Sequence, residues 1–295
     1  MSLKTEPFVS IIISVYDQLD HTKKCIHQIE QTLLGKVSYE VIIIDDCSKS
    51  ETIDFLQNLE EPHKVFFNHD KKGYAVNNNL GANEANGKYL CFLNNDVFVQ
   101  GNWLLPMINV FQENDNVGMV GNVQKLAFSQ KYDHMGVVFA PQGNPRHYGQ
   151  GFYYRPFKGE VRKWSAVTAA CCVTRKELFL EIGGFDEIYL NGCEDVDLCL
   201  RMTEQNKEHY IVHDSVVLHV KGASEGRKLF NDKNSQILQK RWGQKIISLQ
   251  SVLDQHTHAW TYLCRGIMKP WSINLRKWIE ALLIFFRIKK LGPMN

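Results

Sequence analysis

The sequence has eight cysteines but no CxxC and no paired zinc-type spacing, which removes structural zinc and a thioredoxin-like centre from consideration. Most of these thiols sit inside apolar runs such as Tyr-Leu-Cys-Phe-Leu (89–93), where a reduced Cys behaves as a small hydrophobe. There is no N-x-S/T sequon, and the opening MSLKTEPF leads into an apolar run without the pattern of a signal peptide. Near the end the longest uncharged apolar stretch, Ala281–Phe286, falls far short of the ~20 residues that cross a bilayer. Together these features predict a reducing, cytoplasmic compartment. Neither G-x-G-x-x-G nor G-x-x-x-x-G-K-[ST] occurs, so any bound phosphate must be neutralised without a glycine-rich loop. Net charge is only +2, which gives no global attraction to nucleic acid.

What is present is the composition of a folded globular chain: 44% hydrophobic, 22% charged and 11% aromatic over 295 residues. That length suits one large domain or two intimate halves. Charge is local. From Trp260 onward seven Lys/Arg stand against Glu280 alone, a local +6, so the rest of the chain sums to −4.

Val9–Val15 and Glu40–Ile44 are buried β-branched runs, and Lys64–Phe67 and Lys88–Leu93 read as two further strands. Helical spacing fills the intervals at Asp20–Leu34 (stopping at Gly35), 51–60 and Tyr74–Asn86 (closed by Gly87). This alternation predicts a parallel sheet with crossover helices on both faces. Beyond residue 100 the expectations are a helix at Asn102–Phe111, a strand at Gly118–Val120, an irregular stretch over 131–164 and a strand at Ala166–Val173. Thr174-x-x-Glu177 reads as a capping box for a helix ending at Gly183-Gly184. A helix starts near Glu194 and a strand ends at His219.

Ligands of open α/β sheets sit beyond the C-terminal strand ends. Three strands end there in polar clusters, Ser14-Val-Tyr-Asp17, Asp45-Asp46 and Asn94-Asn95-Asp96. Each alone is an ordinary turn or cap. Together they converge on one cleft, and a carboxylate holding a divalent cation is the natural way to bind phosphate there.

Six ordered motifs now resemble one family: Ser14-Val-Tyr16; Ile44-Asp-Asp46-x-Ser48; Gly73…Asn79-x-Gly81…Ala85-x-Gly87; Leu93-Asn-Asn-Asp96; Gly183-Gly-Phe-Asp186; and Glu194-Asp-Val-Asp197. The set, spanning about 8–225, resembles family 2 of the nucleotide-sugar-dependent glycosyltransferases, and within it the rhamnosyltransferase-like bacterial members. The resemblance implies an α/β GT-A fold with a Rossmann-like, mostly parallel sheet. Residues 1–100 would bind the nucleotide sugar, 101–225 would form the acceptor-binding and catalytic half of the same domain, and 226–295 a helical extension. It implies inverting transfer from a UDP-, dTDP- or GDP-linked sugar to a glycan or lipid-linked hydroxyl, in cell-surface polysaccharide synthesis.

Carried over by motif, Ser14, Tyr16, Asp46, Asn79, Asn95 and Asp96 would bind the nucleotide sugar. Tyr16 would lie against the base, Asp46 would accept from its imide, and Asn79 would line the cleft. Asn94-Asn95-Asp96 replaces the family's D-x-D, so Asp96 alone carries charge, and with His219 it would hold Mn2+ or Mg2+. Asp195 would be the catalytic base with Glu194 beside it; Val196, Cys199 and Leu200 would face the core, and Asp197 would make a structural contact. An acidic helix start is also what the helix dipole favours, and the two readings are compatible. The other histidines, His21, His63 and His69 among them, are expected on the surface.

Two further classes compete. Loss of two D-x-D carboxylates raises a degenerate nucleotide-sugar-binding domain, against which stand Asp96, Asp195 and His219 together. A nucleotidyltransferase would need an early Gly-rich loop with Arg and Lys, which Ser14–Asp20 does not supply. Were no metal involved, Lys221 or Arg227 would be the electrophilic group. Within 256–295, Trp278, Ala281, Leu282, Phe285 and Ile288 form one apolar helical stripe bracketed by basic residues. It would dock on the catalytic domain, pair with a second copy in a homodimer, or lie on anionic lipid as a peripheral membrane anchor.

Overall fold

The computed structural model describes residues 7–139, 143–153, 158–220, 230–249 and 252–289. Lys221 and Arg227 therefore lie outside the described residues, as do 290–295 of the tail. Val9–Val15 (β1) and Tyr39–Asp45 (β2) are almost wholly buried, as strands covered on both faces must be. With His63–Phe67 (β3) and Tyr89–Leu93 (β4) they form a parallel unit in the order β3-β2-β1-β4. The crossovers are Leu19–Leu33 (α1), Ser50–Gln57 (α2) and Tyr74–Glu84 (α3). Alternation along the strands divides the core in two. Ile12, Ile42, Ile44 and Phe92 face one apolar layer, and Ile11, Ile13, Ile43 and Cys91 face the other.

Glycines let α3 and its exit loop lie directly on β1. A Cβ on Gly81 would stand 2.5 Å from Ile12 Cγ2, and one on Gly87 would stand 2.5 Å from the backbone nitrogen of Ser10. Glycine at 81 and 87 is thus a packing requirement.

After Val97–Val99 (β5) and Leu105–Glu113 (α4) comes Val117–Leu126 (β6). This strand is much longer than the expected Gly118–Val120. Its centre carries Asn122 and Gln124, both fully buried, and these polar residues hide the strand from a hydropathy pattern. The stretch expected to be irregular holds four short strands, Tyr132–His134 (β7), Val137–Phe139 (β8), Pro145–His147 (β9) and Val161–Trp164 (β10). Cys171–Arg175 (β11) begins later than expected and inserts antiparallel between β4 and β6. The capping box is not formed. Thr174 remains in β11 with its hydroxyl donating to Gly118 O at 2.8 Å, and Arg175 occupies the N-cap of Lys176–Glu181 (α5). Gly183 and Gly184 end this helix at φ 84° and 68°.

Glu194–Glu204 (α6) and Glu208–His219 (β12) complete the sheet, whose order is β10-β12-β6-β11-β4-β1-β2-β3, with β5 beside β12 and β7 beside β6. The central strands are parallel, as expected. The C-terminal helices are Asn231–Leu249 (α7), Val252–Met268 (α8) and Leu275–Phe285 (α9). Among the described residues no helix is long and apolar enough to cross a membrane.

The predicted tail stripe packs inside the tail itself. Trp278, Ala281, Leu282 and Phe285 meet Ala259 and Leu263 of α8, while Ile288 is exposed. Within the chain these four residues pack on α8, with Ala281 buried and Trp278, Leu282 and Phe285 half-buried.

Candidate active site

The strand ends open onto a cleft of about 240 Å³, lined among others by Ser14, Tyr16, Asp46, Asn95, Asp96, Glu194 and Asp195. Residues separated by 180 positions in the chain meet here because β1, β2, β4 and the start of α6 finish at one sheet edge.

On the β1–β2 side the chain turns sharply. Asp17, Gln18 and Cys47 adopt positive φ. Asp45 accepts from Ser48 N at 3.1 Å, and Ser48 Oγ accepts from Asp17 N at 2.8 Å, so the Asp45-Asp46-x-Ser48 motif ties the two turns together. Asp46 gathers the loop before α3. Its carboxylate accepts from Lys72 N at 2.7 Å, Gly73 N at 3.1 Å and Asn68 Nδ2 at 3.3 Å. Ser14 Oγ accepts from Asn77 Nδ2 at 3.0 Å. Tyr16 is partly exposed at the mouth, with Lys71 Nζ 3.3 Å from its ring centroid, a cation–π contact. Lys71 also lines the cleft, so the site does hold a fixed positive charge, contributed by the β3–α3 loop rather than by a glycine-rich motif.

Asn79 is elsewhere. Its amide grips the backbone of Phe185, accepting from N at 2.8 Å and donating to O at 2.9 Å. Gly184 is forced by this contact, since a Cβ there would stand 2.5 Å from Asn79 Oδ1. The expected cleft-lining residue is therefore a latch between α3 and the loop that leads to α6. Asn95 stays at the cleft but donates through Nδ2 to Thr22 Oγ1 of α1 at 3.0 Å.

Asp96 and His219 do meet. His219 is buried, with Nε2 3.4 Å from Asp96 Oδ1 and Nδ1 2.8 Å from Asp133 Oδ2. Burial by itself would lower the imidazole pKa, but the hydrogen bond to Asp133 and the nearby Asp96 outweigh it and hold it above the ordinary value. Donation from Nδ1 to Asp133 directs the other nitrogen at Asp96. Asp133 was not legible in the sequence: it lies in β7, in the stretch that reads as irregular. The donor pair fits a small cation, because Mg2+-type sites take one or two protein ligands and fill the remainder with substrate phosphates and water. Among the described residues no group of three or more His, Cys, Asp or Glu forms a cage.

The start of α6 also lines the cleft. Asn191 and Cys193 adopt left-handed φ of 54° and 74°, turning the chain so that Glu194 and Asp195 open the helix at the cleft. Asp195 Oδ2 accepts from Ala169 N at 3.1 Å and Oδ1 from Val196 N at 2.8 Å. Glu194 Oε2 accepts from Gly192 N at 2.5 Å. Val196, Cys199 and Leu200 are buried. Asp197, fully buried, accepts from Arg201 Nε, Arg241 Nη1, Trp242 Nε1 and Tyr189 OH, and thereby pins α7 to α6. Asn234 of α7 pairs with the backbone of Leu190, and Asn191 Oδ1 accepts from Tyr74 N at 3.1 Å. The loop carrying the acidic pair is thus held from both sides.

The histidines are not uniformly superficial. His69 is exposed, but the His63 side chain is almost covered, and His134 and His209 are buried. His147 lines the cleft.

Residues 10–183 match the family described as Glycosyl transferase family 2. The chain belongs to that family. It is similar to the O-antigen biosynthesis protein RfbC of Myxococcus xanthus, 32% identical over 231 residues that cover 74% of this chain and 18% of RfbC. The chain thus spans less than a fifth of that relative. GalNAc-T7, solved with UDP, GalNAc and Mn2+, aligns over 87% of this chain and 52% of its own, with TM-score 0.67 at 17% identity. The mannosyltransferase PcManGT from Pyrobaculum calidifontis, solved with GDP-Man and Mn2+, aligns over 97% of this chain and 77% of its own, with TM-score 0.59 at 15% identity. These structural likenesses establish the GT-A fold of this family 2 member.

Proposed function

We propose that this family 2 glycosyltransferase moves a sugar, with inversion, from a nucleoside-diphosphate donor to a hydroxyl of a glycan or lipid-linked acceptor in polysaccharide synthesis. The observation that carries the reading is one cleft lined both by Asp96, whose carboxylate meets His219, and by Asp195. Tyr16 offers a face for the nucleotide base, and Lys71 a positive charge for phosphate. Asp46 holds the loop that carries Lys71; its carboxylate already accepts two backbone N–H groups, so it acts on the base side of the cleft mainly through that loop. Asp96 and His219 would hold Mn2+ or Mg2+, which supplies a Lewis acid for the departing diphosphate.

An acceptor hydroxyl is a poor nucleophile until its proton is taken. Asp195 is the base: two backbone N–H groups fix its carboxylate at the cleft wall, and proton removal contributes about 10²–10⁴ in rate. Attack on the face opposite the leaving group inverts the anomeric centre. The test is a screen of UDP-, dTDP- and GDP-sugars for nucleotide release and product formation, in Mn2+ and in EDTA, with the product anomer read by NMR. Transfer that stops in EDTA and yields the inverted anomer supports the reading. Tight donor binding with no release in any condition would make the chain a degenerate binding domain.

A further inference from the structure

Half of the large apolar side chains that stand exposed among the described residues lie within 260–288: Trp260, Ile267, Met268, Trp271, Leu275, Ile279, Phe286 and Ile288. Apart from Ile288, none of them belongs to the stripe identified above, whose other four residues pack between α8 and α9. The two helices run antiparallel, since Gly266 abuts Trp278 near the turn while Trp260 stacks on Phe285 at the far end. The turn is tightly built. Pro270–Ser272 forms one 3-10 turn, Asn274 N donates to Tyr262 OH, and Asn274 Oδ1 caps α9 by accepting from Lys277 N.

The apolar residues concentrate at this tip. Ile267 is 77% exposed, Met268 50%, Trp271 82% and Leu275 71%. Ile279 continues the exposed row one turn further along α9. Alternating with them are the exposed Arg265, Arg276 and Lys277. No carboxylate occurs between Asp254 and Glu280, and Glu280 is paired with Lys289 at 2.6 Å.

Composition decides what such a surface meets. Protein interfaces exclude Lys and concentrate apolar residues at a dry centre, whereas here cations and large apolar groups interleave residue by residue. The headgroup zone of an anionic bilayer accepts both, with Trp at the boundary and Lys/Arg on phosphates. We propose that the α8–α9 hairpin tip is a docking surface for anionic phospholipid membranes, holding the enzyme in the plane of the interface without crossing it.

Flotation of the full chain with phosphatidylcholine vesicles, with and without phosphatidylglycerol, tests this. Binding should require phosphatidylglycerol and weaken with added salt. Each basic residue near such a surface contributes roughly five-fold, so joint Arg265→Gln, Arg276→Gln and Lys277→Gln should cost about 100-fold in partitioning. Trp271→Ser with Leu275→Ser should lose binding as well, with an unchanged circular dichroism spectrum. These positions are exposed, so folding is retained. The proposal fails if phosphatidylglycerol vesicles capture none of the wild-type chain at low salt, or if both variants bind as well as wild type. It also fails if the Trp271/Leu275 variant merely dissociates a solution dimer that never floats, which would assign the face to a second copy.

Discussion

Asp195→Asn separates the chemistry of this site from its architecture. The carboxylate serves two backbone donors, Ala169 N at 3.1 Å and Val196 N at 2.8 Å. An amide of the same shape keeps one acceptor oxygen and turns an NH2 toward the other donor. One N–H then loses its partner, a cost of about 1–3 kcal/mol when fully buried. Asp195 is only partly buried, so water can replace the lost acceptor and the cost should sit near the lower bound. For a chain of this size a loss of about 1 kcal/mol lowers Tm by roughly 2–4 °C. Removal of the general base should instead cost about 10²–10⁴ in kcat. The two readouts therefore diverge: a small fall in Tm by calorimetry, unchanged donor affinity by titration calorimetry, and near-complete loss of transfer. Glu194→Gln is the control, because Glu194 holds Gly192 N at the turn and should affect stability more than chemistry. More than about a tenth of wild-type kcat in Asp195→Asn would refute the assignment. A dead Glu194→Gln beside an active Asp195→Asn would move the base by one residue.

Asp133→Asn should weaken Mn2+ binding in the presence of nucleotide by about 10–100-fold, the usual effect of losing an imidazole's supporting carboxylate. Unchanged affinity in a Mn2+ titration would show that His219 is not oriented by Asp133. His209 is buried with Nδ1 accepting from Met119 N at 3.2 Å and Nε2 2.9 Å from Cys199 O; burial lowers its pKa to about 4. The native imidazole thus stays neutral while the unfolded one takes a proton below about 6.5. Stability should fall by about 3 kcal/mol as pH drops from about 6.5 to about 4, and urea titrations of His209→Gln should show a flatter slope across that window. Gly87→Ala would drive a methyl against Ser10 N and the carbonyl carbon of Val9. It should cost about 1–3 kcal/mol or more, and a wild-type urea midpoint would contradict the packing argument.

The parallel half of the fold was legible because local and global signals agree there. β1, β2 and β4 are dominated by apolar and β-branched residues, the helices between them have clear stops, and the polar clusters at the strand ends mark the cleft. The family resemblance proposed Asp96, Asp195 and His219 for the site, and Asp96 and Asp195 line one cleft with Ser14, Tyr16 and Asp46. What the chain alone could not specify depends on partners distant in sequence. Asn79 looks like a cleft residue until Phe185, 106 positions away, takes both ends of its amide. Thr174 looks like a helix cap until Gly118 accepts its hydroxyl. Asp133 and Lys71 enter the site from segments without a periodic pattern, and Asn122 and Gln124 conceal the middle of β6 because burial of polar groups runs against hydropathy. The tail's amphipathic stripe was plain from spacing, but spacing does not say what covers a face. Residue order determines which side chains share a strand end or a helix stripe, since those periods are local. Which polar atom meets which, and which apolar face stays open, is decided only when distant segments compete for the same buried partner.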